Sequence, residues 1–158
     1  MEMQGTGAGS KGVVWVAMRI PDDAICAHAN QSRIGKFNMK DKKNVLYSKN
    51  VISYARKMGW FNGKDSEFSW KNTYAFPDFS GRVWSFFNHY ADDFDRYLPW
   101  ALGKDKDAED MPLWIVPNRK LSVADVENGM RDHYEGTTLA LDTTSIGSGI
   151  YEMPYRPT

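Results

Sequence analysis

The chain has 158 residues, 42% of them apolar and 25% charged, which places it in the ordinary globular range and against intrinsic disorder. Twenty basic residues balance twenty acidic ones with no long run of Lys or Arg, so nucleic acid is not expected as a partner. Apolar stretches such as Gly12 to Met18 fall well short of the roughly 20 residues that cross a bilayer, so no membrane insertion is expected, and the single Cys26 excludes an intrachain disulfide.

In chain order, Met1 to Gln4 reads as the stub of a strand, joined through the glycine-rich stretch Gly5 to Gly12 to a longer strand ending near Ile20. On that strand Val14, Val16, Met18 and Ile20 share one wholly apolar face, which should be buried. Pro21-Asp22-Asp23 supplies turn chemistry, and the natural continuation is a hairpin with a returning strand from Ala24 to Asn30. Cys26 on that strand reads as a small core thiol, and Arg19 as a partner of Asp22 or Asp23. Helical spacing then links Val51, Ile52, Ala55 and Met58, with Arg56 and Lys57 in the last turn and Gly59 as the stop. A second helix is expected from Gly81 to Tyr90, carrying Val83, Trp84 and Phe87 inward. Gly103 to Asp110 reads as a charged, solvated loop. A third helix should start at Ser122, capped with Asp125, turn Val123, Val126 and Met130 inward and stop near Gly136. Strands precede helices, so the expected class is α+β with antiparallel pairing, in a single partial domain of residues 1–34 (sheet) and 35–158 (mainly helical).

The Gly7-Ala8-Gly9-Ser10-Lys11-Gly12 run matches a dinucleotide fingerprint by letter, but a strand follows it where the phosphate-binding helix should start. His28, His89 and His133 are scattered, and Asp92, Asp93 and Asp95 lack the ligand alternation of a calcium loop, so neither a metal nor a cofactor is expected. More informative is Ala29-Asn30-Gln31-Ser32-Arg33-Ile34, two amides and a guanidinium at a strand end. A fixed amide there can donate to the oxyanion formed when a carbonyl is attacked, and Arg33 can meet a substrate carboxylate with two parallel hydrogen bonds. The same amides can equally satisfy loop backbone groups, and the residues alone leave both readings open.

The runs Trp15-Val16-Ala17-Met18-Arg19-Ile20-Pro21-Asp22-Asp23 and Ala29-Asn30-Gln31-Ser32-Arg33-Ile34 resemble the cysteine dipeptidase family of the N-terminal-nucleophile hydrolases. Further matching runs are Asn44-Val45-Leu46-Tyr47-Ser48, Gly81-Arg82-Val83-Trp84 and Arg131-Asp132-His133-Tyr134-Glu135-Gly136-Thr137, so the resemblance covers nearly the whole chain. It implies part of a four-layer αββα hydrolase in which an N-terminal cysteine attacks a dipeptide carbonyl, its own α-amino group acting as base. It also implies catalytic roles for Asn30, as oxyanion donor, and for Arg82, which follows it by 52 residues, while the substrate-binding roles expected for Gln31 and Arg33 rest on their own chemistry at the strand end. The nucleophile has no counterpart in this chain, so the expectation is an internal segment, cut at both ends relative to the family, inactive alone and partnered by the rest of the enzyme. A rival expectation is a non-catalytic peptide- or carbohydrate-binding module that uses Trp60, Trp70, Trp84 and Trp100 as exposed stacking platforms.

Overall fold

The structure is a computed structural model that describes residues 1–4, 14–29, 32–75, 81–102, 109–137 and 139. In chain order its elements are β1 (Glu2–Gln4), β2 (Val14–Met18), β3 (Ile25–Cys26), β4 (Val45–Tyr47), α1 (Val51–Lys57), α2 (Trp70–Tyr74), α3 (Gly81–Asn88), α4 (Leu98–Ala101), β5 (Trp114–Ile115) and α5 (Val123–Met130). Short 3-10 turns precede α2 and α4. The fold is mixed, with short antiparallel strands and short helices. Two compact units contain these elements: Met1–Asp22 with Asn30–Pro77, and Asp23–Ala29 with Asp78–Thr158.

In the first unit β2 is the central strand of an antiparallel sheet in the order β1-β2-β4. Val14 and Val16 are buried, as the strand period requires, whereas Met18 and Ile20 are half-buried because the strand ends at Met18. Helix α1 buries Val51, Ile52 and Ala55 and stops as its sequence dictates: Gly59 takes φ +73°, a left-handed conformation that costs glycine little. Much of the remaining core is aromatic. Phe68 is edge-on to Phe37, Phe61 and Tyr74, and the Tyr74 hydroxyl donates to the Val51 carbonyl at the start of α1.

Among the described residues the expected hairpin between 14–20 and 24–30 does not form. A turn occupies Asp22 and Asp23, and Arg19 pairs with Asp22 at 2.6 Å, but the chain beyond it belongs to the second unit. There only Ile25 and Cys26 are extended, pairing antiparallel with Ile115 and Trp114 of β5, while β2 has its hydrogen-bonding edges filled by β1 and β4. The expected order of strands before helices holds through β4, which precedes α1 although it lies beyond residue 34, and is departed from at β5, which lies between α4 and α5.

The second unit is built on α3, whose Val83, Trp84 and Phe87 are buried with Tyr90, Phe94, Tyr97, Met111, Ile115 and Tyr134. The Trp84 indole donates to the Phe94 carbonyl at 3.2 Å. Helix α5 starts at Ser122 with the reciprocal cap expected: the Asp125 amide donates to the Ser122 hydroxyl and the Ser122 amide to the Asp125 carboxylate. Its orientation and length differ from expectation. Val123, Val126 and Met130 are exposed, and the helix ends at Met130, well before Gly136. The inner face carries Asp125 and Gly129, because the missing side chain of Gly129 lets the Tyr90 hydroxyl and the Phe86 ring approach closely, and Tyr90 donates to the Asp125 carbonyl. Residues 109 and 110 are exposed, and the rest of the expected charged loop lies outside the described residues.

Candidate functional site

The segment carrying the amides and Arg33 is anchored in the first unit by its backbone. Helix α2 begins without a side-chain cap, and its orphan amides are satisfied instead by this segment: Trp70 N–H donates to the Gly35 carbonyl at 3.0 Å and Lys71 N–H to the Ile34 carbonyl at 2.9 Å. The buried Trp70 indole donates to the Ser32 hydroxyl at 3.1 Å, and Lys36 bridges Ser69. Residues 32–36 are therefore held on the aromatic core of the unit. Within them Arg33 is only 7% exposed and Ile34 only 2%. Asn30 and Gln31 immediately precede this anchored stretch and lie outside the described residues.

Arg82 is the second residue of α3, in the other unit, and is half-buried. Among the described residues no hydrogen bond or ion pair holds its guanidinium. It also stands in the first turn of a helix, where the aligned peptide dipoles present positive charge and disfavour a cation by roughly 0.3–1 kcal/mol.

A cluster that the sequence reading did not anticipate joins α3 to the segment after α5. Ser85 on α3 and His89 just past its end stand one helical turn apart, and both meet Asp132: the Ser85 hydroxyl donates to one carboxylate oxygen and His89 Nε2 lies 3.2 Å from the other. Ser85 is buried, and the Asp132 side chain is 8% exposed. The helical spacing of Ser85 and His89 is visible in sequence, but their shared partner is not, being far along the chain. In this arrangement the carboxylate stands between hydroxyl and imidazole, whereas nucleophilic activation of a serine requires the imidazole in the middle. Asp132 thus acts as a clamp holding residues 131–137 to α3.

Those residues form a tightly specified loop. Tyr134 is buried with φ +66° and Gly136 has φ +76°, both left-handed, and for Tyr134 that conformation is a strained one. The Thr137 hydroxyl donates to the Tyr134 carbonyl at 2.8 Å and accepts from the Leu139 amide at 3.1 Å. Glu135 accepts from the His133 amide at 2.9 Å, and backbone amides, its own first and that of His133 next, hold its carboxyl down at about 2. The His133 imidazole lies 3.3 Å from the same carboxylate, and both side chains face solvent.

Two further expectations are corrected. Cys26 is exposed rather than part of a core, because on the two-residue strand β3 it is Ile25 that faces the packed interior. Trp70 and Trp84 are buried, at 0% and 1% exposure, and cannot serve as stacking platforms; Trp60 is 48% exposed and Trp100 is half-buried. Among the described residues no group of three His, Cys, Asp or Glu side chains could hold a metal ion, and no helix is long and apolar enough to cross a membrane.

Residues 1–158 match the sequence profile of Peptidase family C69. A probable dipeptidase of Salmonella dublin is 31% identical over 143 residues, covering 84% of this chain and 30% of the relative. A probable dipeptidase of Latilactobacillus sakei is 29% identical over 145 residues, covering 88% of this chain and 28% of the relative. The chain thus spans less than a third of the length of these curated relatives.

Proposed function

The chain belongs to peptidase family C69, and on that premise we propose that it is a segment of an enzyme that hydrolyses dipeptides. The observation that carries the proposal is the match of the family along the whole chain, supported by relatives named as probable dipeptidases. In this reading the enzyme has the αββα architecture of N-terminal-nucleophile hydrolases, and its nucleophile is a cysteine on chain outside residues 1–158. The α-amino group of that cysteine accepts the thiol proton, which is reasonable chemistry because an ordinary α-amine titrates near roughly pH 8.

Asn30 is assigned to the oxyanion, with Gln31 and Arg33 toward the substrate and Arg82 as a second polar group at the reacting centre. Two observations support these roles. The backbone just after Gln31 is pinned through Ser32, Ile34 and Gly35, and an oxyanion donor needs such a rigid base. Arg82 stands in the first turn of α3, where helix electrostatics disfavour a basic side chain, a local conflict typical of functional positions.

The test is kinetic, in the full-length protein that contains this segment. Asn30→Ala should lower kcat by about 100-fold or more with little change in KM, the signature of a donor used only in the transition state. Thiol alkylation should abolish turnover. Unchanged kcat for Asn30→Ala removes that residue from the mechanism, and turnover that survives alkylation removes the cysteine nucleophile.

A further inference from the structure

The second unit contains an open pocket of about 370 Å³ just beyond α3, lined among others by Asp92, Arg96, Tyr97, Ile115, Val116 and Asn118. That volume lies toward the lower end of the roughly 300–1,000 Å³ typical of small-molecule sites, so it suits a ligand of amino-acid or dipeptide size and not a long peptide. Its base is apolar, since Phe94, Tyr97 and Ile115 are all buried core residues that also contribute to the lining.

The polar groups are few and carry opposite charges. Asp92 is exposed, and one of its oxygens accepts from the Asn118 side-chain amide at 2.9 Å, which fixes the carboxylate while leaving its second oxygen outside that bond. Asn118 is itself fixed, because its backbone amide donates to the Tyr90 carbonyl at 2.8 Å. Arg96 donates from Nη2 to the Tyr97 hydroxyl at 2.7 Å, and its Nε lies 3.5 Å from Glu109. These contacts engage two of the three guanidinium nitrogens, and an ion pair as exposed as this one, at 60% and 61%, is weak enough for a ligand carboxylate to compete with it. A preformed apolar floor with a fixed carboxylate and a guanidinium on its walls matches a molecule bearing one ammonium, one carboxylate and an apolar side chain.

We propose that this cavity binds the zwitterionic form of an apolar amino acid or dipeptide, with Asp92 receiving the ammonium group and Arg96 the carboxylate. The assignment rests on the lining and not on the proposed catalysis. Its two sources correspond to the product and the substrate of such a hydrolase, and a binding test separates them without needing turnover.

The experiment is a titration of the 158-residue chain, followed through the methyl resonances of Ile115 and Val116, with leucine and leucyl-leucine as the two probes. N-acetyl-leucine, which lacks the ammonium, and leucinamide, which lacks the carboxylate, serve as controls. Saturable shifts with leucine alone identify a product site, with leucyl-leucine alone or with both a site that admits substrate. In each case the controls should bind at least about 10-fold more weakly, the loss expected when one charge-assisted contact is removed. Asp92→Asn and Arg96→Gln, both at exposed positions, should weaken the zwitterion by a similar factor. Absence of saturable shifts with both probes, or controls that bind as tightly as the zwitterions, overturns the proposal, as does binding unchanged in both variants.

Discussion

Gly129 offers the sharpest probe of how the second unit is packed, because the two effects of replacing it by alanine have opposite signs. Helix propensity alone favours Gly129→Ala by at most about 1 kcal/mol. Against that, a Cβ at this position would lie 2.7 Å from the Tyr90 hydroxyl and 3.1 Å from two carbons of the Phe86 ring. Tyr90 cannot retreat freely, since its hydroxyl donates to the Asp125 carbonyl, and giving up that bond costs about 1 kcal/mol. Overpacking of a filled contact costs typically 1–3 kcal/mol, so the net expectation is a destabilisation of roughly 1–3 kcal/mol. For a chain of this length each kcal/mol moves Tm by roughly 2–4 °C, well within reach of a thermal melt or a urea titration. Repeating the substitution in a Tyr90→Phe background removes the nearest atom and should recover roughly 1 kcal/mol of the loss as a coupling energy. A Gly129→Ala variant more stable than the parent by the full propensity gain would refute the placement of α5 on α3 through this glycine.

Three other outcomes follow from named groups. Burial pushes the Tyr74 phenol up to about 12, so its folded pKa lies above its ordinary value of 10.0; the stability it contributes is complete below pH 10 and is lost as pH rises through 12. Urea titrations at stepped alkaline pH should show that decline, and Tyr74→Phe should make it shallower. The Glu135 carboxyl is depressed from 4.5 to about 2, so its contribution is present above pH 4.5 and is lost as pH falls toward 2; acid titration of Glu135→Gln should show a smaller loss over that window. Asp132→Ala removes the carboxylate that accepts from the buried Ser85 hydroxyl and should cost roughly 1–3 kcal/mol by chemical denaturation, whereas Asp132→Asn, which keeps an acceptor oxygen, should cost less.

The parts of the fold that were legible in the sequence are those encoded by neighbours. The capping box of Ser122 and Asp125, the Gly59 stop and the alternation of Val14 and Val16 each specify a local geometry, and each is found in the structure. What was not legible depends on partners distant in sequence. Pro21-Asp22-Asp23 does turn the chain, but the next extended residues pair with Trp114 and Ile115, which no local signal announces. The aliphatic residues of α5 lie on its outer face because the inner face is set by a small residue, Gly129, meeting the Phe86 ring on α3 and the Tyr90 hydroxyl just beyond it. Tryptophan number likewise says nothing of exposure: Trp70 and Trp84 have indole hydrogen-bond partners inside the protein, so their polar edge is no obstacle to burial. Of the site, the motif containing Asn30 to Ile34 could be recognised as unusual, whereas the clamp of Asp132 on Ser85 and His89 needed three-dimensional proximity to appear.

The most direct test of the central claim is dipeptide hydrolysis by the 158-residue chain, measured beside a full-length C69 protein that contains it together with the cysteine proposed as nucleophile. The account predicts turnover in the longer protein and none in the shorter chain. Turnover by the 158 residues alone would contradict it and would make the exposed thiol of Cys26 the first group to alkylate.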